Sequence, residues 1–197
     1  MAQNDIRKYL MVAIGGSAGS LDIILKIVSL LPTDSGASFV IIVHRKNGAD
    51  SILTNLLSTR TTMKIKEVED KEPIQPNSIY IAPPDYHLLI ENKEIFSLDS
   101  SEKIHHCRPS IDVSFESIAQ VFGASSLGIL LSGANADGAA GLFQIKRAGG
   151  LTVAQDPLSA DIAFMPQQAI NLMAVNEIVD AQKLPEYIKR TLFNKVK

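Results

Sequence analysis

A single cysteine, Cys107, is the only thiol in this 197-residue chain, so an internal disulfide is impossible. A reducing compartment, the cytoplasm, is the simplest setting for it. Excess charge of one sign is also missing, with 19 Lys and Arg against 21 Asp and Glu. Nothing in that balance points to nucleic acid or to an anionic membrane surface as a partner. Long apolar runs are lacking too. The opening MAQNDIRKYLMVAIGG holds an apolar run of about ten residues that flows into glycines, without the basic start and small-residue cleavage site of a secretion signal. A membrane span needs roughly 20 apolar residues, and no such run occurs. With no repeat, low-complexity tract or linker, and 46% apolar residues, the expectation is one cytoplasmic domain over residues 1–197. That length is enough to bury a sizeable core.

What is present is alternation. Tyr9–Ile14 reads as a buried strand, Leu21–Leu31 as a helix with Leu21, Ile24, Leu25 and Val28 on one face, and Ser38–Val43 as a second strand. Pro32 stops the first helix. Asp50 is placed to cap a helix carrying Ile52, Leu53, Leu56 and Leu57. Short strands follow at Lys64–Val68, Ser78–Ala82, His87–Glu91 and Glu94–Leu98, the last two forming a hairpin around Asn92-Lys93. Ser110 caps a helix with Ile111, Phe115, Ile118 and Phe122 on one face. Leu127–Leu131 is a strand, Ala136–Lys146 a helix, Leu151–Ala154 a strand, and a last helix starts near Pro185. The implied fold class is α/β: a three-layer, doubly wound, mainly parallel sheet with a β-hairpin insertion. Ligands bind such sheets outside the carboxyl ends of the strands.

Three loops lie at that edge. The first, Gly15-Gly16-Ser17-Ala18-Gly19, fits G-x-S-x-G, in which glycines allow a sharp turn that exposes a serine. Backbone N–H groups at the following helix start, Ala18 among them, suit an oxyanion. A helix-capping serine is the structural alternative. Nucleotide binding fits less well, because neither G-x-G-x-x-G nor G-x-x-x-x-G-K-[ST] is met. The second loop opens on His44, a residue type suited to proton transfer near neutral pH. His87 lies in the hairpin, and the adjacent His105 and His106 beside Cys107 lack zinc-ligand spacing, so no metal is expected. The third loop, Ser132–Gly138, holds Asp137, which either orients the histidine or serves a helix N-terminus. Asp112 and Asp156 are rivals for the acid. Ser17, His44 and Asp137 together form a candidate nucleophile, base and acid. Their order differs from the Ser…Asp…His order of α/β-hydrolases, but triads recur on unrelated folds.

The blocks VAIGGSAGS, FVIIVH, SIYIAPPDYHLL, RPSIDVSFES, GILLSGANADGAAGL, VAQDP and MPQQAI, in this order from Met11 to Asn171, resemble the catalytic domain of the CheB-type chemotaxis protein-glutamate methylesterases. The resemblance implies a nucleophile at Ser17, a base at His44, an acid at Asp137, a second oxyanion N–H at Ala134, and no cofactor. It implies hydrolysis of glutamyl methyl esters on the cytoplasmic helices of methyl-accepting chemoreceptors, and deamidation of receptor glutamines in many members. Two departures stand out. Gly133-Ala134-Asn135 replaces the usual Gly-Met-Gly, and Arg45-Lys46 replaces the Met-Pro often found after the histidine. Arg45, Lys46 and the His105–Arg108 stretch, Arg108 above all, are therefore expected to contact substrate. This sequence holds no receiver domain before the first strand, so a stand-alone enzyme is expected, with a fragment of a longer protein as the alternative. A catalytically inactive binding module and a general esterase of the same fold are the alternative functions.

Overall fold

The structure, a computed structural model, describes residues 10–45 and 50–193. Tyr9, Lys46 and the Asp50 side chain lie outside the described residues. Among the described residues, nine strands and six α-helices follow one another as β1 (Met11–Gly16), α1 (Leu21–Leu30), β2 (Ser38–Val43), α2 (Asp50–Ser58), β3 (Lys64–Glu67), β4 (Ser78–Ile81), β5 (His87–Asn92), β6 (Ile95–Asp99), α3 (Ile111–Phe122), β7 (Ser126–Leu130), α4 (Ala139–Arg147), β8 (Leu151–Gln155), α5 (Phe164–Asn171), β9 (Glu177–Val179) and α6 (Leu184–Phe193). Seven strands form one sheet in the order β3-β4-β2-β1-β7-β8-β9, and β5-β6 form a separate hairpin. Every pairing in the large sheet is parallel, while the hairpin is antiparallel.

Both faces of this sheet are covered, and the side-chain period of two shows how. Met11, Ala13, Val40 and Ile42 point into a core shared with Ile111 and Phe115 of α3, Leu142 of α4, Met165 of α5 and the hairpin's Leu88 and Phe96. Val12, Ile14, Phe39 and Ile41 point the other way, against Ile24 and Ile27 of α1, Leu57 of α2 and Ile188 of α6. Strands buried on both faces read as near-continuous apolar runs, which is why MVAI and FVII look as they do. The expected three layers and the hairpin are therefore what the structure has.

Some elements differ from expectation. The predicted helix from Ala136 begins only at Ala139, because Gly138 takes a left-handed conformation and the two preceding residues belong to the loop. Ser110 does cap α3, its side chain accepting from the Val113 N–H. Helix α5 and strand β9 have no counterpart among the expected elements.

Helices α3 and α4 pack closely through Gly141. A Cβ there would lie 2.6 Å from the Asp112 carbonyl oxygen and 2.7 Å from Phe115 Cβ. Gly141→Ala is expected to push α4 off α3 and cost about 1–3 kcal/mol. Its unfolding midpoint in denaturant, compared with that of the unmodified chain, measures this.

The first strand crossover runs from β1 to β2, and the chain later returns to the opposite side of β1 as β7. The carboxyl ends of β2, β1 and β7 thus meet at a switch in winding direction, the place where doubly wound sheets open a crevice.

Candidate active site

The register of the sheet sets the first two residues side by side. Gly16 pairs with Val43, so Ser17 and His44 are the next residues on adjacent parallel strands, and the His44 N–H donates to the Gly16 carbonyl at 3.4 Å. The turn after β1 needs Gly19 at φ +79, where a Cβ would also strike Asp161 and Ser132. Ser20, not Ser17, is the residue before α1, and its hydroxyl donates to the Ser17 carbonyl at 2.7 Å. The Ser17 side chain is half-buried and, among the described residues, makes no hydrogen bond. Its hydroxyl does not cap the helix.

The third loop brings Asp137 to the same place. The His44 Nε2–H donates to Asp137 Oδ2 at 2.7 Å, with the carboxylate fully buried and the ring only 11% exposed. Three further donors converge on the carboxylate: the Ile111 N–H at 2.7 Å, the Asp112 N–H at 3.0 Å and the Ser110 hydroxyl at 2.7 Å. Asp137 thus meets both the His44 ring and a helix start. It orients the histidine and it serves a helix N-terminus, that of α3 and not of its own α4. Burial pushes its carboxyl up, but the His44 ring and the donors from Asp112, Ser110 and Ile111 outweigh this and hold it below the usual carboxylate range. An ionised Asp137 fixes the proton of His44 on Nε2 and leaves the Nδ1 lone pair as the basic position.

Asp112 answers in kind. Its Oδ1 accepts from the Gly138 and Gly141 N–H groups at the start of α4, at 2.8 and 2.7 Å. The start of α3 is thus held by an acid from the loop before α4, and the start of α4 by an acid in the first turn of α3. Burial, with the negative charge of Asp137 also acting, raises the Asp112 carboxyl against those two donors. Among the described residues, Asp112 makes no hydrogen bond or ion pair with His44. Asp156 caps the turn after β8, accepting from the Leu158 N–H at 2.9 Å.

Other expected residues fall out as follows. His87 is buried and structural: its Nδ1 accepts from the Ser110 N–H at 3.1 Å and its Nε2 reaches the Glu102 carbonyl at 3.0 Å. The N–H groups of Ala18 and Ala134 donate no hydrogen bond among the described residues, whereas that of Gly133 is committed to the Ile162 carbonyl at 3.2 Å. Arg45, expected to contact substrate, is held by partners within the protein. Its guanidinium pairs with Glu67 on β3 and also donates to the Ala82 carbonyl at 3.2 Å. Arg108 donates to the carbonyls of Ser100 and Ser101 at 2.7 and 2.6 Å. Both arginines nonetheless border a cleft of about 470 Å³ beside His44, where Lys103 and His106 add basic character against one carboxylate, Asp85.

Two features escape a sequence reading. Ser132 and Gln155 form a buried polar junction beneath the Gly15–Gly19 loop. The Ser132 carbonyl accepts from the Ser17 N–H at 2.9 Å, its hydroxyl donates to the Ala18 carbonyl at 2.8 Å, and its N–H donates to Gln155 Oε1 at 3.0 Å. Cys107 is the other. His105 and His106 both take positive φ, and the Cys107 N–H closes back on the Ile104 carbonyl at 2.8 Å. This tight turn aims the thiol inward. Cys107 Sγ lies 3.5 Å from His44 Nδ1 and accepts from the Asn135 amide at 3.2 Å. Burial pushes the thiol up, so it carries its proton and donates to Nδ1.

This chain matches the family model described as CheB methylesterase over residues 12–188. The chain belongs to the CheB methylesterase family. A relative from Leptospira interrogans is 42% identical over 182 residues, covering 92% of this chain and 94% of that one. A Pyrococcus horikoshii relative, named protein-glutamate methylesterase/protein-glutamine glutaminase, is 33% identical over 184 residues, and this chain spans only 50% of its length. The crystal structure of the Thermotoga maritima CheB methylesterase catalytic domain superposes with a TM-score of 0.87 at 30% identity, covering 92% of this chain and 97% of that one. The family is one of hydrolases, and no helix among the described residues is long and apolar enough to cross a membrane.

Proposed function

We propose that this CheB-family chain is a serine hydrolase of glutamyl methyl esters on chemoreceptor helices, acting as one domain in the cytoplasm. The observation that carries the reading is the His44–Asp137 pair, clamped by the start of α3 at 2.7 Å, one strand from the turn that holds the half-buried Ser17. Ser17 Oγ attacks the ester carbonyl while His44 Nδ1 takes its proton. Asp137 keeps the ring in one tautomer and stabilises the imidazolium that forms. The uncommitted N–H groups of Ala18 and Ala134 are the oxyanion donors. Methanol leaves with the proton returned by His44, and water then hydrolyses the acyl-enzyme by the same route. A glutamine side chain would release ammonia instead.

The basic border of the cleft, with Lys103 beside Arg45 and Arg108, supports an acidic receptor helix as substrate, although the two arginines act from within structural pairings. Such attraction weakens with salt. The test measures methanol released from methylated chemoreceptor fragments and from small methyl esters, at low and high salt. Faster, salt-sensitive turnover of the receptor is expected. Equal turnover of both substrates points to a general esterase, and none from either points to a binding module.

A further inference from the structure

The base of the proposed reaction has an unusual neighbour. Cys107 and His44 stand 63 residues apart in sequence and meet at 3.5 Å, Sγ to Nδ1. With Asp137 they form a cluster whose ligand-type atoms all lie within 4.8 Å of one another. Zinc holds imidazole nitrogen at about 2.0–2.1 Å and thiolate sulfur at about 2.3 Å; in a tetrahedral array this sets the two ligand atoms ~3.6 Å apart. The observed spacing fits one cation between them with little movement of either side chain.

The surroundings favour the same ion. A metal-ligating histidine nearly always donates its other ring N–H to a carboxylate or carbonyl. His44 already does so, through Nε2–H to the buried Asp137. A bound thiolate is steadied by N–H donors, and the Asn135 amide already points at Cys107 Sγ from 3.2 Å. Two ligands and two supporting groups are thus in place.

We propose that His44 Nδ1 and Cys107 Sγ bind a thiophilic divalent cation of the zinc class, which shuts the active site by occupying the electron pair of the base. The cation displaces the S–H proton to solvent and takes the sulfur and Nδ1 electron pairs. Nε2 keeps its proton on Asp137, water completes the coordination, and no oxidation state changes. The site is inhibitory, because a metal-bound Nδ1 cannot accept the Ser17 proton. Binding itself does not depend on the esterase reading; the loss of turnover does.

The test titrates the full, chelator-treated chain with cadmium as the spectroscopic stand-in. One equivalent is expected to give the ultraviolet thiolate–cadmium band, and added zinc to suppress it. Saturating zinc is expected to lower ester turnover by about 10²-fold or more, the scale of a general base's contribution, with recovery on EDTA. Cys107→Ser should abolish the band and the zinc response. Asn135→Ala, which keeps the thiol, should weaken cadmium binding about tenfold. Absence of the band in the unmodified chain overturns the site, even if the chain proves to have no esterase activity. Zinc inhibition equally strong in Cys107→Ser places the cation elsewhere, for example on the exposed His105 and His106, and also overturns it. A band with turnover untouched overturns the block of the base.

Discussion

Ser17→Ala is expected to remove ester hydrolysis by on the order of 10⁴-fold or more while leaving the unfolding midpoint unchanged. The two halves of that result have separate causes. As the attacking atom, Oγ has no substitute in the alanine variant. As a structural group it contributes little, because it makes no hydrogen bond among the described residues and Ser20 provides the hydroxyl that ties the turn. Surface-side truncations that leave nothing unsatisfied usually change stability by less than about 0.5 kcal/mol. Turnover of the ester and a denaturant melt on the same preparation decide it. A variant that keeps most of its activity would return Ser17 to a passive turn residue.

Asp137→Asn is expected to fail on both counts. Activity should fall by about 10⁴-fold, as in other triads where the acid becomes an amide and the histidine tautomer is lost. Stability should fall as well. Oδ1 accepts from the Ser110 hydroxyl and the Asp112 N–H, and Oδ2 from His44 and the Ile111 N–H. Whichever oxygen becomes an amide nitrogen, donors then face a donor in a site with no solvent access. Unsatisfied buried groups cost about 1–3 kcal/mol each, so a loss of about 2–4 kcal/mol is expected from denaturant unfolding. Full activity in Asp137→Asn would remove Asp137 from the acid role, and unchanged stability would remove it as the anchor of α3.

The parallel sheet was legible because its strands carry apolar residues on both faces: MVAI and FVII cannot be mistaken for half-exposed strands. The three loops at its carboxyl edge were legible through glycine and through the strand just before each. Strand β9 was not, since three residues with Glu177 and Ile178 exposed leave no pattern to read. Helix α5 buries only Met165, Pro166 and Ala169, with a proline in its first turn, and gives little helical periodicity. The pairing of Arg45, expected to contact substrate, was not legible because its partner Glu67 lies on an edge strand 22 residues away. The approach of Cys107 to His44 depends on two consecutive histidines in left-handed conformation, which histidine tolerates better than most residues. Spacing along the chain carries no trace of it.

The pairing of β1 with β2 on one side and β7 on the other has a consequence for how the molecule comes to life. Ser17, His44 and Asp137 arrive from the first, second and seventh strands, and the anchor of Asp137 comes from a helix that precedes β7. Such contacts between distant stretches of chain form late and together. A chain emerging from the ribosome, or one opened midway by heat or protease, holds the serine and the histidine long before the acid can reach them. Hydrolysis should therefore report the finished sheet and nothing short of it, rising in step with the last tertiary contacts during refolding. Partly built copies would then leave ester substrates untouched.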